Sequence, residues 1–188
     1  HQRETRKMKF EETSLPGVVL ITPRIFADSR GVFQETFNHR VMAENGLPSD
    51  WAQDNFSVSK KNVVRGIHYQ IVQPQGKLVR VTHGAVLDVA VDLRRSSPHF
   101  GKYVAVELSS DNGRMLWIPP GFGHAFLALS DVAGFAYKVT DYYSAAGERT
   151  VLWNDPEIGI AWPVRPEDAI LSDKDAQGKL LRDAEVYP

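Results

Sequence analysis

Apolar and polar residues alternate with a period of two along much of the chain. In AVLDVAVDL, Ala85, Leu87, Val89, Val91 and Leu93 fall on one face, and Val86, Asp88, Ala90 and Asp92 on the other. In KLVRV, Lys77 shares a face with Val79 and Val81; in GFAYKVTDYY, Phe135, Tyr137, Val139 and Asp141 fall together. Further strand-like runs are VVLITPRIF, GVFQETF, RGIHYQ, NFSVS, KYVAVELS, RMLWIP and HAFLALS. Gly, Pro, Ser and Asp-Asn-Gly clusters punctuate them. The DNG at 111–113 predicts a hairpin between KYVAVELS and RMLWIP. Only HRVMAENG, with Gly46 to stop it, and parts of the tail read as helix. From about Val164 the chain turns polar and is expected to pack as helix or loop across one end. So many short strands predict an all-β jelly-roll barrel with a few short helices.

At 188 residues the chain suits one domain. Residues 1–7 precede a methionine that reads as a natural start and are set apart as a lead; 8–188 is expected to be a single domain. With no cysteine, disulfides, thiolate metal sites and a cysteine nucleophile are excluded, and a reducing cytoplasm is the expected setting. A net charge of -1 without long runs of one sign argues against a nucleic-acid surface. No stretch is long and apolar enough to cross a membrane as a helix.

The candidate chemistry starts from two histidines, His68 in RGIHYQ and His124 in PPGFGHAF. Pro119, Gly121 and His124 match the second signature of cupin barrels, Pro-x-Gly-x-x-His. The first signature is broken: Gln70 stands where a second histidine belongs, and Lys77 occupies an interval without carboxylates. Two imidazoles beside an ammonium fall short of a divalent-metal site, which wants three or four ligands. The alternative is acid–base chemistry. A neutral imidazole can take a proton, Lys77 can stabilise an oxyanion, and Tyr137 can return a proton. Together these suit proton removal next to a ketone, passage through an enolate, and reprotonation on the opposite face. In a regular strand Arg65 and His68 face opposite ways; a bulge at Gly66 would turn both into one cavity.

DSRGVFQE, QDNFSVS, VVRGIHYQ, QGKLVRVTHGAVLDVAVDLRRSSPHFG, PPGFGHAFLALSD, YKVTDYYSAAGE, NDPEIGIAWP and LSDKD together resemble the dTDP-4-dehydrorhamnose 3,5-epimerase family, in order from about Met8 to Asp175. The resemblance implies a metal-free, cofactor-free cupin jelly roll that acts as a homodimer on a dTDP-4-keto-6-deoxy sugar. His68 is then the base, Asp175 its orienting carboxylate, Lys77 the enolate stabiliser and Tyr137 the acid. His124, Arg65, Gln53, Asn55, Glu148 and Lys174 are expected to line the nucleotide-sugar site. Arg30, Phe33 and Glu35 are expected on a strand exchanged with the partner. Read without the resemblance, Asp175 is a solvated tail charge, Arg30 and Glu35 a surface ion pair, and Asp92 a residue that orders the loop after it. An epimerase of carbon 3 alone, a metal-dependent cupin enzyme and a sugar-binding cupin are the competing readings.

Overall fold

The computed structural model describes residues 8–188; the expected lead at 1–7 lies outside the described residues. Thirteen strands are described, in chain order: β1 (Lys9–Glu12), β2 (Val19–Thr22), β3 (Ile25–Asp28), β4 (Gly31–Gln34), β5 (Gln53–Lys60), β6 (Val64–Gln70), β7 (Lys77–His83), β8 (Ala85–Asp92), β9 (Tyr103–Ser109), β10 (Met115–Ile118), β11 (Phe122–Ala128), β12 (Val132–Val139) and β13 (Glu148–Thr150). Two short helices join them, α1 (His39–Glu44) and α2 (Asp173–Ala176). The strands form a six-stranded sheet ordered β1-β2-β10-β7-β12-β5 and a five-stranded sheet ordered β13-β6-β11-β8-β9. Among the described residues, the strands of the hairpin β3–β4 pair only with each other. This is the expected all-β jelly roll of cupin type, two sheets enclosing one interior.

The alternation read in the sequence sorts onto the two sides of the five-stranded sheet. Val86 and Ala90 enter the core between the sheets, with Val79, Val81 and Phe135 from the facing wall. Val89, Val91 and Leu93 point outward and join Ile67, Tyr69 and Ala125. A sheet apolar on both faces must be covered on both. The tail does this: Ile158, Leu181 and Ala184 lie on the outer face, so the tail covers a face rather than an end. Asp155 fastens it, accepting from the backbone N–H groups of Ile158 and Leu181 at 3.0 and 2.8 Å. Phe135 is fully buried, with its ring 4.4 Å from Phe126 and 5.6 Å from His124 between centroids. Truncating such a residue to alanine costs about 3–5 kcal/mol. It would also release the His124 ring.

The DNG hairpin is a correction. β9 pairs with β8, whereas β10 pairs with β2 and β7 in the other sheet. Residues 111–113 still turn tightly: Asn112 Oδ1 accepts from Ser109 N and Arg114 N, and Gly113 takes φ +61. The turn sends the chain from one sheet to the other. Turn chemistry fixes the reversal, not the strand with which the emerging segment pairs. β1 and β13, only four and three residues long, had no signal in the alternation. Helix α1 ends as expected, with Gly46 beyond it at φ +75 and Asn38 Oδ1 capping its start. No described helix is long and apolar enough to cross a membrane.

Candidate active site

β6 and β11 pair with a shift of register. His68 stands opposite His124, but Arg65 stands opposite Phe126, so three steps on β6 face two on β11. The extra residue puts Arg65 and His68 on the same side, toward the interior. Val64 and Ile67 both pack outward. Gly66 permits this: its φ is +120, and a Cβ there would lie 2.5 Å from the His124 carbonyl oxygen.

His68 Nε2 lies 2.6 Å from Asp175 Oδ1, and Asp175 Oδ2 accepts from the Gly66 N–H at 3.1 Å. Asp175 sits in α2, whose cap Ser172 accepts from the Asp175 N–H at 3.1 Å. Burial pushes the Asp175 carboxyl up. The His68 and Gly66 hydrogen bonds and the charges of His68 and Lys174 outweigh it, so the net shift is downward. An ionised Asp175 accepting Nε2–H leaves the Nδ1 lone pair of His68 to take a proton.

Lys77 opens β7 with its side chain in the interior, on the face of Val79 and Val81 as the alternation predicted. Burial lowers its pKa to about 8, partly offset by the charges of Asp88 and Glu148. Its Nζ lies 5.9 Å from the centre of the Tyr137 ring. Tyr137 faces Asn55 across the β12–β5 pair. Burial raises its phenol, against the lowering effects of an Asn55 hydrogen bond and the Arg65 charge. Gln53 Nε2 donates to Asn55 Oδ1 at 2.8 Å, and Arg65 Nε to Ser59 Oγ at 3.0 Å.

Glu148, on β13, binds Lys174 Nζ at 2.5 Å and accepts from Tyr143 OH at 2.9 Å. Burial raises its carboxyl, but Lys174, Tyr143 and the His68 charge bring it below its ordinary value. Glu148 acts electrostatically on Lys77 and Tyr137 and feels His68. These groups therefore share one polar interior. His124 adds a second pair: its Nε2 lies 2.6 Å from Asp88 Oδ1, both residues being buried. Among the described residues, no three of His, Cys, Asp and Glu converge to hold a metal ion.

Of the thirteen residues singled out in the sequence, His68, Asp175, Lys77, Tyr137, His124, Arg65, Gln53, Asn55, Glu148 and Lys174 fall in and around this interior. Arg30, Phe33 and Glu35 do not. Arg30 and Phe33 lie on the separate β3–β4 hairpin, and Glu35 follows it. Arg30 pairs with Asp28 at 2.6 Å rather than with Glu35, both groups being exposed. Asp92 orders its loop as expected, accepting from Arg94 and Ser97. Asp88 was missed. Its face was legible, because it alternates with Val86 and Ala90. Its partner was not, because His124 lies on another strand.

The chain matches the family model for dTDP-4-dehydrorhamnose 3,5-epimerase over residues 12–183. It is 50% identical to the dTDP-4-dehydrorhamnose 3,5-epimerase of Pseudomonas aeruginosa, over 96% of this chain and 100% of that one. Its structure resembles dTDP-6-deoxy-D-glucose-3,5-epimerase from Legionella pneumophila, solved in complex with dTDP-4-keto-L-rhamnose. The TM-score is 0.91 at 47% identity, covering 95% of each chain. ChmJ, a 3'-monoepimerase from Streptomyces bikiniensis solved with dTDP-quinovose, matches with TM-score 0.86 at 36% identity over 92% of this chain and 87% of that one. Fold and interior are those of a cupin barrel equipped with acid–base side chains. The chain belongs to the dTDP-4-dehydrorhamnose 3,5-epimerase family.

Proposed function

We propose that the protein is a cytoplasmic isomerase. It epimerises dTDP-4-dehydro-6-deoxy-D-glucose at carbons 3 and 5 to give dTDP-4-dehydro-L-rhamnose. His68 removes the proton from the carbon next to the ketone, and the electron pair moves onto the ketone oxygen. The Lys77 ammonium stabilises the enolate oxygen. Tyr137 delivers a proton to the opposite face of the same carbon. Asp175 holds the imidazole in the right tautomer and stabilises its cation. No step changes oxidation state, so proton transfers suffice. Gln53, Asn55, Arg65, His124, Glu148 and Lys174 position the nucleotide sugar.

One observation carries this reading: the base and the acid stand on different walls. His68 is on β6 of the five-stranded sheet and Tyr137 on β12 of the six-stranded sheet, with Lys77 in the same interior. A sugar ring between the walls meets them on opposite faces, as inversion requires. The test is incubation with dTDP-4-dehydro-6-deoxy-D-glucose in heavy water. Deuterium should enter at both carbons; label at carbon 3 alone would make the protein a monoepimerase.

The reading includes a homodimer in which Arg30, Phe33 and Glu35 of one protomer reach the partner's nucleotide. It is supported by the hairpin, whose strands join neither described sheet, and by exposed Val32 and Phe33, 71% and 70% accessible. An exposed apolar edge of this kind wants a cover. Phe33 can stack on thymine and Arg30 can fork a phosphate. Mixing inactive Arg30→Ala and His68→Ala proteins should restore turnover, because a hybrid dimer holds one complete site. No restoration after confirmed subunit exchange would refute the shared site.

A further inference from the structure

Asp88 takes no part in the steps above. One of its oxygens is 2.6 Å from His124 Nε2; the other, Oδ2, is buried without a hydrogen-bond partner among the described residues. His124 is held in turn by its stack on Phe135, the ring planes 15° apart. The Lys77 ammonium has no hydrogen bond or ion pair among the described residues, only the Tyr137 ring at 5.9 Å. A buried ammonium without a counter-charge sheds its proton. The titratable groups around it are Asp88 on β8, Glu148 on β13, His124 on β11 and Tyr137 on β12. Asp88 favours the charged lysine more than Glu148 does. Glu148 is already bound to Lys174. Burial holds the His124 imidazole toward its neutral form, so it donates to Asp88 without adding a cation.

We propose that Asp88, clamped by a neutral His124, is the counter-charge that keeps Lys77 an ammonium while leaving its N–H donors to the substrate. This deepens the function proposed above and rests on it. A direct ion pair would occupy the donors that an enolate oxygen needs. His124 ties the carboxylate elsewhere, so its charge acts through the interior at a distance. Asp88 is a positioning residue in this sense, acting on the reaction only through the charge of Lys77. Burial works against it by pushing its own carboxyl up, and the hydrogen bond from His124 and the charge of Lys77 oppose that.

The test is a lysine titration followed by NMR on protein carrying isotope-labelled lysine, without any sugar present. In the intact protein one lysine should titrate at about 8. In Asp88→Asn its midpoint should fall by about one unit or more, which costs about tenfold in turnover near pH 9 and almost nothing near pH 6. Asp88→Glu should keep the midpoint. If Asp88→Asn does not fold, Asp88→Ser removes the charge and leaves room for a water. An unmoved midpoint, or a loss of turnover equal at every pH, overturns the proposal. A shifted midpoint with an unshifted activity profile supports the counter-charge and counts instead against Lys77 as the enolate stabiliser.

Discussion

Two histidines on neighbouring strands of one sheet each pair with an aspartate, Nε2 2.6 Å from a carboxylate oxygen, yet the two pairs are electrostatic opposites. In His68–Asp175 the imidazole is 33% accessible, and both carboxylate oxygens are hydrogen-bonded. Its aspartate is driven toward the ionised form. In His124–Asp88 the side chains are 7% and 0% accessible, and one oxygen has no partner among the described residues. There burial pushes both partners toward neutrality, and the Lys77 charge works against it at Asp88. Contact distance does not assign a role. Access for the ring and full hydrogen bonding for the carboxylate suit one pair to the proposed role of base; their lack suits the other to a buried brace.

The largest break in that comparison is His68→Ala. Solvent exchange at both carbons should fall roughly a thousandfold, within the usual range for a general base, while dTDP affinity is kept. Near-normal turnover would remove His68 from the chemistry. Asp175→Asn comes next. It keeps the shape but takes away the charge that fixes the tautomer, so kcat should drop about a hundredfold with KM little changed. A loss confined to KM would make Asp175 a binding residue.

A smaller effect is alkaline. With Lys77 at about 8, turnover should decline above that value, about tenfold for each further pH unit. Stability runs the other way. The folded pKa of Lys77 lies below the unfolded one, so between about 8 and about 10.4 the unfolded chain holds more protons, and stability from this group rises with pH. Lys77→Met should abolish that rise in denaturation measured across the window. The smallest effect is acidic and separates the two carboxylates by sign. Asp175, whose folded pKa is depressed, contributes stability present above its unfolded value of about 3.9 and lost as pH falls through the folded value. Asp88 is raised, so from about 3.9 upward to its folded value its contribution weakens as pH rises. Asp175→Asn should cost about 1–2 kcal/mol at neutral pH and flatten the acid arm of the unfolding curve.

What the sequence disclosed follows from which forces are local. Alternation in 85–93 separated the core-facing Val86 and Ala90 from the outward Val89 and Val91, because side-chain parity in a strand is geometric. The same parity put Lys77 on the face of Val79 and Val81 without deciding between a strand-end position and the interior. Gly66 was readable as a bulge because only a break in parity brings Arg65 to the side of His68. Pairings between distant segments were not readable. Asp175 lies 107 residues from His68, and its tail reaches β6 through bridges such as Val63 to Ile170; composition alone made it a solvent-facing charge. Family resemblance supplied that pair. The His124–Asp88 pair, and the turn at Asn112 that crosses between sheets instead of closing a hairpin, came only with the coordinates.

The extra peptide unit at Gly66 also restricts how this gene can vary. A side chain at Gly66 that drove the strand back to an even weave would leave Arg65 and His68 three residues apart and so point either the guanidinium or the imidazole outward, into the apolar layer of Ile67 and Tyr69. Point changes elsewhere in VRGIHYQ alter single side chains, but a change at Gly66 would disturb a whole wall of the cavity at once. Lineages that keep the activity should therefore vary at many places and keep a glycine at this one.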